Sequence, residues 1–319
     1  MIIACCMNGT FKLENITESN KNLLTQAIWV DLINPTMEEE LLVEHSLNFN
    51  IPTIDEMREI ELSSRLYKEN DSLFMTATMI AQAESLTPKQ DAVTFILTPK
   101  QLISIRYIEP QAFSLFILRL NKLHTTNAAT FFIELLDATI DRLADILEIL
   151  SHQSEISAKT IFQPQNSHNI DYKGLLRQLG LIGGLNSKIV ESLVSFDRLI
   201  HFCAQSLNGT LDPQDHQRLH SLNKDINSLN DHSSFISSKI SYLSEATLGM
   251  VQIEQNSIIK IFSVAAVIFL PPTLIASIYG MNFHFMPELS WKYGYFVAIG
   301  LMLFSSWLPY KYFKYRKWL

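Results

Sequence analysis

Cysteine is scarce in this sequence and cationic charge is in deficit. The 319 residues hold three cysteines, Cys5, Cys6 and Cys203, with no Cys-x-x-Cys spacing. Adjacent Cys5 and Cys6 cannot readily bridge each other or complete a metal site, so a disulfide framework is excluded and reduced thiols are expected. Lysine and arginine number 25 against 32 acidic residues, a formal net charge of −7, and the basic residues gather at the C-terminus. Such a balance argues against nucleic acid as a partner. The N-terminus lacks a basic start followed by a long apolar run, so no cleavable signal peptide is expected and roughly the first 255 residues should stay inside the cell. The patch Gly180-Leu181-Ile182-Gly183-Gly184 has no following Lys-Ser/Thr and lies inside helical periodicity, which excludes a phosphate loop and points to close helix packing. Nothing resembles a nucleophile with its base, so an enzyme is not expected.

What is there is concentrated near the C-terminus. The run Ile261–Tyr279, IFSVAAVIFLPPTLIASIY, has 19 residues and no charge, about the length that crosses a hydrocarbon core as a helix. The run Tyr293–Tyr310, YGYFVAIGLMLFSSWLPY, repeats the pattern after a connection of 13 residues, GMNFHFMPELSWK, so a membrane hairpin is expected. Lys260 precedes the first run, and Lys311, Lys314, Arg316 and Lys317 follow the second, whereas the connection holds only Lys292. The positive-inside rule then places both termini in the cytoplasm.

The preceding chain divides by pattern. Short runs rich in β-branched and aromatic residues at 1–7, 28–32, 73–81, 92–97 and 102–107 read as strands, with helix starts at Asn34-Pro35 and at Pro52, giving a mixed α/β domain over 1–128. Residues 129–210 show amphipathic periodicity broken at Pro164, which predicts two long antiparallel helices. From Pro213, with Asp212 as a cap, nothing stops a helix before Pro271-Pro272; 211–256 reads as a stalk. Its Leu219, Leu222, Ile226, Leu229, Ser233, Ile236, Ile240, Leu243, Thr247, Met250, Glu254 and Ser257 alternate at spacings of 3 and 4, a coiled-coil seam that turns polar toward the membrane. The spans then cover 257–279 and 293–310, with the loop at 280–292 and a basic tail at 311–319. The fold class is thus an α+β cytoplasmic domain with a long helical stalk and two C-terminal transmembrane helices.

The block Tyr279-Gly280-Met281-Asn282, with Met286-Pro287-Glu288-Leu289 just behind it, and the ending KYFKYRKWL resemble the CorA family of divalent-cation channels. Upstream, IEQNSIIKIFSV and LPPTLIASIYGMN strengthen the resemblance, and Trp29-Val30-Asp31-Leu32 carries it toward the N-terminus. The resemblance implies a funnel-shaped homopentamer of the bacterial inner membrane, with the first span lining a pore and the second facing lipid. It implies Mg²⁺ as the transported and regulatory ion, with Co²⁺ and Ni²⁺ as secondary ions, and a filter built by Gly280, Met281, Asn282 and Tyr279.

The residues agree with that assignment in several ways. Magnesium holds its waters tightly, so a ring of Asn282 amide oxygens could accept from the hydrated ion without stripping it. A helix C-cap would use Asn equally well. Ser263, Thr273 and Ser277, with Asn256 inside them, fall near one helical face; hydroxyls bonded back to the helix are the plainer alternative. The family pattern adds a hydrophobic constriction, for which Leu270, Phe262 and Ala266 are candidates. Asn256 and Glu245 would lie at its cytosolic end. Glu288 would attract cations at the external mouth, whereas His284 stands where relatives have an acid, and a protonated imidazole would oppose capture. Lys311, Lys314, Arg316 and Lys317 would ring the exit or simply anchor the hairpin. Regulatory sites are unassigned among Asp141, Asp145, Glu148, Asp215, Asp225 and Asp231, which solvation alone would explain, and His216 and His220 have metal-pair spacing without a further ligand. A zinc transporter of the ZntB type is the nearest rival, disfavoured by Gly-Met-Asn with MPEL; a non-conducting coiled-coil membrane scaffold is the other.

Overall fold

The computed structural model describes residues 1–8, 10–120, 127–163, 170–207, 209, 211–281, 284, 286–316 and 318. They form two compact units, Met1–Ser244 and Glu245–Leu319.

In the first unit seven strands make one mixed sheet: β1 (Ile2–Asn8), β2 (Thr10–Asn15), β3 (Trp29–Ile33), β4 (Leu66–Glu69), β5 (Ser72–Ala81), β6 (Lys89–Leu97) and β7 (Leu102–Arg106). Their order is β2-β1-β3-β7-β6-β5-β4. Every neighbouring pair is antiparallel except β3 and β7, which run parallel with Asp31 opposite Ser104 and Ile33 opposite Arg106. The central strands β3 and β7 are buried throughout and mostly apolar, apart from Asp31, Ser104 and Arg106.

Strands β2 and β4 were not expected from sequence. Both are sheet edges with polar side chains, TFKLEN and LYKE, which blunt further pairing and lack the β-branched signature. Between β4 and β5 the turn residues Asn70 and Asp71 have φ of 45° and 64°, the conformation of a two-residue type I′ hairpin.

One sheet face carries a 3-10 segment (Glu18–Thr25), α1 (Met37–Leu47), α2 (Ile54–Arg58) and α3 (Leu62–Arg65). Its core joins Leu24, Val43, Ile51 and Met57 to Val30, Leu32, Ile103 and Ile105. Helix α1 starts two residues later than expected. Thr36 is its cap, exchanging bonds with Glu39, while Asn34 takes a left-handed turn with φ 44° before Pro35.

The other face meets α4 (Gln111–Arg119), α5 (Ala128–Phe162) and α6 (Tyr172–Ser206). Trp29, Phe95, Phe113, Phe116, Phe131 and Phe132 interlock there as edge-to-face and tilted pairs. Beneath them lies a buried polar chain. The Trp29 indole donates to Ser104 at 2.9 Å, Ser104 donates to Asp31 at 2.6 Å, and Arg106 donates to Asp31 at 2.9 Å. Arg106 also donates to the Ile108 carbonyl and stacks on Phe113, so both buried charges are satisfied. Helix α6 docks on β5 through Ser192, which donates to the Thr78 carbonyl at 2.7 Å, and Ser195, which accepts from the Thr78 amide at 2.9 Å.

Helix α7 (Pro213–Tyr279) starts at the predicted proline. Within the first unit its seam residues Leu219, Leu222, Ile226, Ser233, Ile236, Ile240 and Leu243 are buried in this single chain. Asn186 of α6 donates to the Ser233 carbonyl, and Ser233 donates back to Asn186, across that seam. The 3-4 repeat is therefore filled by the chain's own helices, not by a coiled-coil partner. Met250, Glu254 and Ser257, further along, are partly or fully exposed. Of Gly180, Gly183 and Gly184 in α6, Gly183 alone is close to a neighbour, 3.7 Å from Ile240 for an added Cβ; Gly180 and Gly184 face open space, contrary to the packing role expected for them.

In the second unit α7 leads by way of a 3-10 turn (Pro287–Ser290) to α8 (Gly294–Tyr315). The apolar end of α7 reaches a mean hydropathy of 2.2 over its most apolar window and is long enough to cross a membrane. Among the described residues no other helix meets both conditions. Helix α8 falls short because tyrosines, a tryptophan, a proline and Lys311 interrupt its aliphatic run.

Candidate functional site

Within the second unit the apolar end of α7 and α8 run antiparallel. The Ser306 hydroxyl of α8 donates to the Ile268 carbonyl at 3.2 Å, and the Lys260 ammonium lies 5.3 Å above the Trp318 ring. At the other end Ile275, Ile278 and Tyr279 share a cleft with Leu301. Val264 and Ala298 are the buried side chains of the pair, at 3% and 8% exposure. Together with half-buried Ile268, Pro271, Pro272, Ile275 and Tyr279 they define the side of α7 that its partner helix covers.

The opposite side of α7 is uncovered. At about 100° per residue, Glu245, Asn256, Ser263, Ala266, Leu270, Thr273 and Ser277 fall on one stripe roughly antipodal to that seam, and all are exposed in the single chain. Leu270 is 65% exposed. Phe262, at 70%, sits at one edge of the stripe and Asn256 at the other. Spacings of 3 and 4 also put Leu248, Gln252 and Ile259 on it; the same periodicity carried upstream would have found them. The Thr273 hydroxyl donates to the Phe269 carbonyl at 2.7 Å, the back-bonded alternative that sequence left open.

The far end of α7 closes tightly. The Gly280 amide donates to Ala276 at 3.0 Å, and the Met281 amide donates to Ile278 at 3.2 Å, a tightening to 3-10 geometry. A Cβ on Gly280 would stand 3.2 Å from the Ala276 carbonyl oxygen, so glycine serves close approach here. Met281 is exposed. Tyr279 turns toward α8, where it lines a cleft of about 590 Å³ with His284, Met286, Pro287 and Glu288. Asn282, on which the filter expectation rests, lies outside the described residues. Sequence reasoning missed Gly294: a Cβ there would come within 2.6 Å of the Glu288 carbonyl oxygen, so the 3-10 turn can seat on α8 only over glycine.

At the other end Lys311 lies 4.9 Å above Trp307 and Arg316 lies 5.9 Å from Tyr312, both within cation–π range. Lys314 is exposed, and Lys317 lies outside the described residues.

In the first unit Arg119 bridges Asp141 at 3.0 Å and Asp137 at 3.9 Å. Burial, with Asp141 and Glu134 adding repulsion, pushes the Asp137 carboxyl above its ordinary range. Among the described residues no three His, Cys, Asp or Glu side chains converge to hold a metal ion, His216 and His220 included. Burial pushes the Cys5 and Cys203 thiols up to about 12, which keeps them protonated and unreactive.

A mixed α/β domain and one long helix, whose apolar end runs antiparallel to a second helix, define a transmembrane protein. A model of the CorA-like Mg²⁺ transporter proteins matches residues 25–316, and the chain belongs to that family. The magnesium transport protein CorA of Mannheimia succiniciproducens is 33% identical over 320 residues, covering 98% of this chain and all of that protein. Its counterpart in Pasteurella multocida is 34% identical over 310 residues, covering 97% of each. The complete structure of the CorA magnesium transporter from Methanocaldococcus jannaschii superposes with a TM-score of 0.79 at 16% identity, across 100% of this chain and 99% of that one. The fold is shared well beyond the similarity of sequence.

Proposed function

We propose that this chain carries Mg²⁺, and secondarily Co²⁺ and Ni²⁺, passively across the bacterial inner membrane as a homopentamer. The observation that supports this reading is the uncovered stripe on α7. It runs from Glu245 to Ser277 on the side away from α8, and hydroxyl and amide groups in a membrane segment require a polar partner or water. One helical pair cannot enclose water, so several copies would turn their stripes inward, with α8 as the second membrane helix facing lipid. Asn282, Gly280, Met281 and Tyr279 then form the external filter around a hydrated ion, Leu270 and its neighbours a dewetting constriction, and the basic tail a cytoplasmic collar. The membrane potential supplies about 2.3 kcal/mol per charge per 100 mV, doubled for a divalent ion. Internal Mg²⁺ bound between the α/β domains closes the pathway, and its loss opens it.

The test is Mg²⁺ influx into liposomes holding the purified protein under an imposed potential. Wild type conducts, and Asn282→Ala loses the flux while remaining assembled. Influx of Zn²⁺ driven by a pH gradient would replace this reading with a proton-coupled zinc transporter, and equal absence of flux in both proteins would leave a scaffold.

A further inference from the structure

Pro271 and Pro272 sit inside α7, level with Leu270. A helical proline has no amide hydrogen, so it leaves the carbonyl four residues earlier without its helix bond. For Pro272 that carbonyl belongs to Ile268. The Ser306 hydroxyl of α8 donates to this oxygen at 3.2 Å. An exposed back-bond, such as that of Thr273, is made within α7 itself; the Ser306 bond instead crosses between helices. In a bilayer no water would replace it, and hydroxyls of a neighbouring helix are one of the few ways such a carbonyl is satisfied.

We infer that Ser306 is a positioning residue for conduction: its hydroxyl takes the place of the amide hydrogen lost at Pro272 and pins the interrupted turn of α7 to α8, which fixes how Leu270 is presented on the opposite side. Ile268 and Pro272 face α8 and are half-buried, while Leu270, between them in sequence, is 65% exposed. A change in the seam therefore reaches the uncovered stripe through a single turn of helix. The Ser306 hydroxyl would touch no ion. The inference rests on the proposed pathway only for its effect on flux; the bond itself is a statement about the fold.

The experiment uses the full chain in liposomes for Mg²⁺ influx and in detergent for the melting midpoint. Ser306→Thr keeps the hydroxyl, and Ser306→Val has nearly the same shape without it. With Thr, influx and midpoint stay at wild type; with Val, the midpoint falls and influx drops about three- to fivefold, the size of one interhelical hydrogen bond. Pro272→Ala returns a backbone amide to Ile268, and in that background the Thr and Val variants behave alike. Equal behaviour of Ser306→Thr and Ser306→Val in the Pro272 protein overturns the inference. So does an undiminished Thr-to-Val difference after Pro272→Ala. Should wild type carry no Mg²⁺ at all, the pathway reading falls while the melting comparison still decides the bond.

Discussion

The two units of this chain use apolar residues in opposite ways. In Met1–Ser244 the large side chains are turned inward: Trp29, Phe95, Phe116, Phe131 and Phe132 are essentially fully buried, and the polar groups among them are paired. In Glu245–Leu319 the proportion is reversed, with Phe262, Phe269, Leu270, Leu274, Leu303, Phe304 and Trp307 exposed. Soluble chains seldom leave so large a contiguous apolar surface uncovered; where they do, a membrane or another protein covers it. The first unit buries its large apolar side chains within the single chain, whereas the second leaves them exposed. Helix α7 belongs to both: most of its seam from Leu219 to Thr247 is buried, whereas Met250, Glu254 and Ser257 further along are partly or fully exposed.

Three substitutions would break or sharpen that contrast, by their effect on stability. The largest effect belongs to Asp31→Ala. Removing it leaves Arg106 buried without its counter-ion, at a cost of about 3–5 kcal/mol, read as a lowered denaturation midpoint of the α/β domain in the full chain. A change near zero would mean that solvent reaches Arg106 and that this core is less closed than described.

Next comes Arg58→Ala. Arg58 bonds Asp91 at 2.6 Å and holds its carboxyl below the ordinary value of 3.8. A lowered pKa stabilises the fold at pH above the ordinary value, and the contribution disappears as pH falls through the lowered one. The variant is therefore less stable than wild type at neutral pH and converges with it in acid. Arg58 is half-exposed, so solvent screening keeps the neutral-pH deficit below about 1 kcal/mol. A deficit that persists in acid, measured by denaturation across pH, would assign the loss to packing instead.

The smallest stability effect is expected at Leu270. Leu270→Ala shortens a side chain that is 65% exposed in the single chain, so it opens no buried cavity and costs under about 0.5 kcal/mol. The same substitution at fully buried Leu135 costs about 2–5 kcal/mol. Under the proposed pathway Leu270→Ala instead raises resting Mg²⁺ leak into liposomes, because smaller alanine side chains leave a wider constriction that wets more easily. Melting losses of equal size at both leucines would erase the distinction between the two units.

Local pattern determined a great deal by itself. The uncharged run at 261–279, the proline start of α7, the amphipathic helices α5 and α6 and the inner strands all follow from periodicity and end signals that neighbouring residues carry. The stripe of Ser263, Ala266, Leu270, Thr273 and Ser277 was also legible, because helical spacing alone puts those residues together. The family could be read from Tyr279-Gly280-Met281-Asn282 and MPEL.

Other features required the tertiary structure. Edge strands β2 and β4 have polar side chains because one side of each is unpaired, so composition does not announce them. A spacing of 3 and 4 states that one face of α7 is covered without saying by what; only packing shows that α6 meets it at Asn186 and Ser233. Gly294 and Ser306 matter through a carbonyl on another element, Glu288 in one case and Ile268 in the other. Such pairings depend on which backbone atoms the fold brings within a few ångströms, and no local pattern encodes that.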